Sequence, residues 1–236
     1  MNMTRWNRLA DEHGFIVVYP SGTGFPKTWR DALDGGRGDD VAFIADLIDA
    51  LRARLDIDGS RIYVEGFSNG AGMARVLSCA LSGRIAAVGM VASAFPSSAC
   101  NASRPVRMIA FHGDADPIVP YQGGPLGDPF NPAKLVFPAV SDWVAEWARR
   151  NQCAGDVVES TVAPDVALIE YTRCAQGAAV ALYTVRGGGH SWPGGKPLPE
   201  WHVGPTTDSV DATRRMWAFF RSHSLPSSAA LRSIEP

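Results

Sequence analysis

This chain of 236 residues has no run of eighteen apolar residues, so no membrane-spanning helix is expected in it. It also lacks any concentration of lysine or arginine: 22 basic against 24 acidic side chains leave a formal net charge of -2 and a pI near 6.2. That balance gives no electrostatic footprint for nucleic acid or an anionic membrane surface, and makes neutral or weakly polar substrates the default. No internal repeat or low-complexity linker interrupts the sequence. No His/Cys/Asp group has the spacing of metal ligands, so neither a metal nor a cofactor is expected. The segment Met1–Gly14 lacks the apolar centre of an export signal. Cysteines number only four, yet Cys79 is as far from Cys100 as Cys153 is from Cys174. Two local disulfides are the simplest pairing. Closed, each would contribute about 3 kcal/mol through loop entropy and imply an oxidising compartment; four buried reduced thiols are the competing reading.

The residues present suit one well-buried domain. With 46% apolar and 19% charged side chains, 1–224 is long enough for a single α/β core, and the aperiodic 225–236 reads as a loose tail. Phe15 to Tyr19 is a continuous apolar run closed by Pro20-Ser21-Gly22, the pattern of a buried parallel strand. Between Asp39 and Leu55 the apolar positions Ile44, Leu47, Ile48, Leu51 and Leu55 recur at helical spacing, with acids at the positive N-terminal end. Strands are predicted at Arg61 to Glu65, Ala86 to Ala92 and Val106 to His112, and helices at Asn69 to Leu81, Lys134 to Arg150 and Ser209 to Ser222. Val166 to Cys174 and Val180 to Val185 read as a hairpin around Ala175-Gln176-Gly177. Strands alternating with helices imply a mostly parallel sheet covered on both faces.

The clearest chemical statement is Arg61–Met73, RIYVEGFSNGAGM, in which Ser68 sits inside G-x-S-x-G between a strand-like run and a helix-like run. With 24 glycines in the chain the pentapeptide alone is weak, but the strand-turn-helix context is that of a nucleophile elbow. There a serine stands clear of the backbone, and the following amide N–H, that of Asn69, faces the position of an oxyanion. Gly70 and Gly72 are expected to let the helix lie close to the sheet.

A serine hydroxyl needs a base to take its proton, and a histidine does so when a carboxylate fixes its tautomer. Of the five histidines, His190 lies in the glycine-rich RGGGHSWPGG after the last strand-like run, where a side chain can be presented at a strand's carboxyl end. His112 ends an apolar strand and reads as structural; His13, His202 and His223 fall in surface-like contexts. The acid is expected in FHGDADPIVPY, after a buried strand, where open α/β sheets build their sites. Asp116 precedes a proline that would fix the loop, and Asp114 could instead cap a turn, so both stay open on pattern alone. The order Ser, Asp, His is that of the α/β-hydrolases. Trp192 and Tyr121, beside the candidate base and acid, could line an acyl or alcohol pocket or serve as packing anchors.

Taken together, GFIVVYPSG, RGDDVAFIADLIDAL, RIYVEGFSNGAGMA, IAFHGDADPIVPY, WARRNQC and YTVRGGGHSWPGG resemble the secreted esterase family of polyhydroxybutyrate-depolymerase-like enzymes, feruloyl esterases and acetylxylan esterases. The resemblance runs through nearly the whole chain. It implies an α/β-hydrolase fold, with Ser68 as nucleophile, Asp116 as acid, His190 as base and Asn69 as oxyanion donor. It also implies the disulfides Cys79–Cys100 and Cys153–Cys174, no cofactor, and a secreted or periplasmic location. The implied substrates are acetyl, feruloyl or short hydroxyalkanoate esters, free or polymer-linked.

One departure stands out. Such esterases carry, ahead of the segment matching Thr4 to Gly14, several strands and a His-Gly loop that gives the second oxyanion N–H. One of those strands runs between the strands matching Phe15 to Tyr19 and Ile62 to Val64. The expected consequence is a gap in the sheet, with three accounts open: the sequence is a fragment, a neighbouring chain fills the gap by self-association, or the sheet re-pairs. Left unfilled, the gap exposes two strand edges, and a missing second donor implies a weakened or purely binding function.

Overall fold

The computed structural model describes residues 3–34, 38–96, 100–127 and 134–226. In chain order the helix α1 (Trp6–His13) is followed by the short α2 (Asp31–Asp34), α3 (Asp40–Arg52), β1 (Tyr63–Phe67), α4 (Asn69–Ala80), β2 (Ala87–Val91) and β3 (Arg107–Gly113). A two-residue pair, β4 (Gly124–Pro125) and β5 (Val136–Phe137), precedes α5 (Val140–Arg150), β6 (Val157–Ala163), β7 (Val166–Tyr171) and β8 (Val180–Val185). The chain closes with α6 (Glu200–Val203) and α7 (Ala212–Arg221).

Six strands form one sheet in the order β1-β2-β3-β8-β7-β6. The first four run parallel, and β7 and β6 are added antiparallel at the far side. Alternation along the strands splits the core between two faces. Val88, Met90, Met108, Ala110 and Leu182 pack with α3, α4 and α5, whereas Val91, Ile109, Phe111, Tyr183 and Val185 pack with α1 and α7. This is the α/β-hydrolase layering, a mostly parallel sheet covered on both sides. The β7–β8 hairpin forms around a single 3-10 turn at Ala175–Gly177, and β6, which has no counterpart among the predicted strands, pairs with β7 as an exposed edge.

Two predicted elements differ. Lys134 to Arg150 is helical only from Val140, because Val136–Phe137 pairs with β4 and Pro138 cannot continue that region as helix. Phe15 to Tyr19 is extended but belongs to no strand. Phe15 and Val17 pack toward α1 and α7, while Ile16 and Val18 remain 55% and 41% exposed. Among the described residues nothing pairs with the outer edge of β1. A cavity of about 760 Å³, lined by 14–20 on one side and 61–67 on the other, separates the two segments where the resemblance placed a gap. A strand needs hydrogen-bonding partners as well as apolar residues, and across this cavity Phe15 to Tyr19 has none.

Both cysteine pairs are bonded. Cys79–Cys100 ties the end of α4 to the approach to β3, and Cys153–Cys174 ties the exit of α5 to the turn between β7 and β8. Of the tail expected to be loose, 227–236 lies outside the described residues.

Candidate active site

Ser68 follows β1 directly and caps α4 with φ 55° and ψ -120°, a backbone conformation that non-glycine residues rarely adopt. Strain of this kind costs about 1–3 kcal/mol and persists only where neighbours over-determine it. Here the Ser68 N–H donates to the Val91 carbonyl at 2.9 Å, and the Ser68 carbonyl accepts from the N–H groups of Ala71 and Gly72 at 3.0 Å. The close approach that makes the turn possible comes from Gly66: a Cβ there would lie 2.2 Å from the backbone of Gly70. Gly70 itself faces open space, and Gly72 packs against Phe95 and Ala32, so neither performs the strand-to-helix contact expected of it. Asn69 opens α4, where the first helical N–H groups have no intrahelical acceptor.

The candidate acid and base are supplied by two neighbouring loops. Strands β3 and β8 pair in register up to Gly113 and Val185, so their loops leave the same carboxyl rim as Ser68. They are then knitted together. Asp114 N–H donates to the Val185 carbonyl at 2.9 Å, Ala115 N–H to the Gly188 carbonyl at 3.0 Å, and Gly187 N–H to the Asp114 carboxylate at 2.6 Å. A Cβ on Gly113 would fall 2.1 Å from the Gly188 carbonyl oxygen, so this contact also requires glycine. Asp114 is thus an exposed loop clasp. Asp116 is the buried carboxylate of the two: its Oδ1 accepts from the N–H groups of Ile118 and Val119, both at 2.8 Å, and its Oδ2 lies 2.8 Å from His190 Nδ1.

His190 is 5% exposed, with its backbone N–H donated to the Val203 carbonyl. Its ring lies 4.9 Å, centroid to centroid, from that of Phe67, the residue immediately before Ser68. Imidazole and elbow are therefore neighbours. Among the described residues the Ser68 hydroxyl makes no side-chain hydrogen bond, with His190 or any other residue. Catalytic hydrogen bonds in ligand-free enzymes are often long and tighten only around substrate. A second histidine approaches the same carboxylate: His112 is 2% exposed, and its Nε2 lies 2.9 Å from the Val119 carbonyl and 3.4 Å from Asp116 Oδ2.

Of the two candidate pocket residues, Trp192 is 1% exposed within the core beneath α1 and α7, and its indole N–H donates to Thr213 Oγ1 at 3.0 Å. Tyr121 is half-buried, with its hydroxyl 2.8 Å from Thr184 Oγ1 and its ring edge-on to His112. Among the described residues no group of three or more His, Cys, Asp or Glu side chains could hold a metal ion, and no helix is long and apolar enough to cross a membrane.

A family model described as "Esterase PHB depolymerase" matches residues 1–122, more than half of the sequence. The chain belongs to the esterase PHB depolymerase family. Among curated relatives, feruloyl esterase B of Piromyces equi is 31% identical over 198 residues, which are 80% of this chain and 36% of that protein. A putative esterase, NocK, of Nocardia uniformis subsp. tsuyamanensis is 31% identical over 211 residues, 80% of this chain and 60% of that one. The chain thus spans less than two thirds of either relative. An acetyl xylan esterase from Aspergillus awamori has a similar solved structure, with a TM-score of 0.57 at 18% identity over 80% of this chain and 77% of that one, a likeness of fold.

Proposed function

We propose that this chain is a serine carboxylic-ester hydrolase working through an acyl-enzyme. The observation that carries the reading is the meeting at one rim of a strained Ser68 elbow and a buried His190 whose Nδ1 lies 2.8 Å from Asp116 Oδ2. Asp116 fixes the Nδ1–H tautomer and leaves Nε2 as the base. Nε2 takes the Ser68 proton as Oγ attacks the ester carbonyl, and the Asn69 N–H holds the developing oxyanion. The alcohol leaves with the proton from His190. Water, deprotonated by the same ring, then releases the acid from Ser68.

Family membership and the printed names of the relatives support acetyl, feruloyl or short hydroxyalkanoate esters, small or polymer-linked, as the substrate class. The two disulfides support work in an oxidising, secreted or periplasmic setting. A fluorophosphonate probe tests the mechanism: it should modify Ser68 and no other residue, and Ser68→Ala should abolish hydrolysis of a short aryl ester. No labelling of folded protein would overturn the reading.

The open cavity beside β1, with a Ser68 hydroxyl that makes no side-chain hydrogen bond among the described residues, favours one second reading, a hydrolase-like binding protein or an impaired esterase with a single oxyanion donor. A missing donor costs about 10²–10³ in rate. Labelling at Ser68 with turnover lowered by that factor or more relative to a two-donor esterase would select it.

A further inference from the structure

The buried His112, predicted only as a structural residue, is joined to the acid of the site by a short chain of contacts. Its Nε2 lies 2.9 Å from the Val119 carbonyl, an acceptor, so this nitrogen carries the proton and the ring takes the Nε2–H tautomer. Val119 in turn gives its own N–H to Asp116 Oδ1 at 2.8 Å, and the other oxygen of that carboxylate meets His190. The same His112 nitrogen stands 3.4 Å from Asp116 Oδ2, on the oxygen that faces His190.

The titratable groups facing His112 are Asp116 from the loop after its own strand β3 and His190 from the loop after β8, with Tyr121 edge-on. Burial pushes the His112 imidazole below its usual range, against the opposing pull of Asp116. Among the described residues its buried Nδ1 has no hydrogen-bond partner, an arrangement suited to a neutral ring, since protonation would add an N–H there with no acceptor. A cation at this place would also compete with the His190 imidazolium for Asp116.

We propose that His112 is a positioning residue: its Nε2–H pins the Val119 peptide, which sets the Asp116 carboxylate and leaves that negative charge to His190. The inference rests on the Ser-His-Asp reading above and adds a fourth side chain that touches neither substrate nor nucleophile. Glutamine can place an amide N–H near the position of Nε2, and phenylalanine keeps the ring volume without a donor.

The test compares wild type, His112→Gln and His112→Phe in the full chain by three measurements: kcat and KM for a short aryl ester across pH, thermal unfolding, and the NMR signal of the hydrogen-bonded His190 Nδ1 proton. In His112→Phe, kcat should fall about tenfold or more with KM nearly unchanged, the acid limb of kcat/KM should move, and the Nδ1 proton signal should broaden or vanish. His112→Gln should restore all three. A phenylalanine variant that melts lower but keeps the pH profile and the Nδ1 signal overturns the proposal, as does a glutamine variant no better than phenylalanine. If wild type shows no turnover but the Nδ1 signal still responds as stated, positioning stands and the hydrolase reading fails.

Discussion

Asn69 clasps the backbone of Trp29 from both ends: its Oδ1 accepts the Trp29 N–H at 2.8 Å and its Nδ2 donates to the Trp29 carbonyl at 3.1 Å. The residue whose backbone N–H is the proposed oxyanion donor thus uses its side chain to tie the 22–30 loop to the elbow. Asn69→Ala removes both bonds and leaves the N–H in place. Urea unfolding should show a loss of about 1–3 kcal/mol, since two backbone groups lose their partner. Asn69→Asp, which accepts but cannot donate, should fall between the two. A variant as stable as wild type would mean that solvent replaces the clasp freely.

Asp116→Asn tests the acid with little change of shape. The asparagine carbonyl can still accept from Ile118 and Val119, which turns its NH₂ toward His190 Nδ1. The ring would then carry its proton on Nε2 and could not take one from Ser68. Turnover of a short aryl ester should drop by about 10³–10⁴ while stability changes little. Asp114→Asn should retain most activity, because among the described residues that exposed carboxylate holds only the Gly187 N–H. The reverse ranking would reassign the acid.

The elbow motif, the candidate base and the two-candidate acid loop stand out in the sequence because each is a local pattern with one chemical use: glycines flanking a serine, a histidine in a glycine-rich loop, a strand running into D-x-D. Local pattern left Asp114 and Asp116 open and only the family resemblance pointed to Asp116, because which aspartate faces His190 depends on the Ile118 and Val119 amides closing on Asp116. The clasp of Asn69 on Trp29 joins residues far apart along the chain and left no local signal. His112 read as structural because an apolar strand surrounds it; the missing hint was its place four residues before Asp116. Phe15 to Tyr19 read as a strand because composition reports burial and β-preference, whereas pairing is settled by a neighbour. Lys134 to Arg150 failed for a simpler reason, since Pro138 lay in plain view as a helix stop.

Glu65 gives the native state a pH dependence. It lines the apolar cavity beside β1, and desolvation pushes its carboxyl from 4.5 up to about 7. At low pH the group is protonated in both the folded and unfolded chain and has no effect. As pH rises through the unfolded value the unfolded chain loses its proton first. Stability therefore falls between about pH 4.5 and 7, by about 3 kcal/mol in all, and stays reduced above that window. Glu65→Gln should be more stable than wild type at pH 8 and equal to it near pH 4. His112, held below its usual range, acts in the opposite direction as pH falls below about 6.5, and it cancels in this comparison because both proteins carry it. A constant difference between Glu65→Gln and wild type across this range would mean that the carboxyl reaches water.

Each disulfide closes a local loop, so its removal should loosen one corner of the domain. Cys79→Ser with Cys100→Ser, and separately Cys153→Ser with Cys174→Ser, should each cost about 3 kcal/mol by denaturant unfolding. Alkylation without reduction should leave all four cysteines of wild type unmodified. Four modified thiols would place the protein in a reducing compartment.

An open strand edge is a template for pairing, and β1 presents one to the cavity. The facing segment adds exposed Ile16 and Val18, while Phe15 and Val17 are committed to the core beneath α1 and α7. Copies of this chain should therefore associate through this side as concentration rises, and sedimentation velocity should show it. Ile16→Lys with Val18→Lys places charge on the exposed positions and leaves the packed ones alone, so association should weaken with little change in the unfolding midpoint. Charge on β6, the opposite edge, provides the control: Val157→Lys with Val158→Lys alters residues 48% and 45% exposed and should leave association through β1 unchanged. Association abolished by the β6 pair and untouched by the other would assign the contact to the antiparallel edge, leaving the cavity beside β1 out of it.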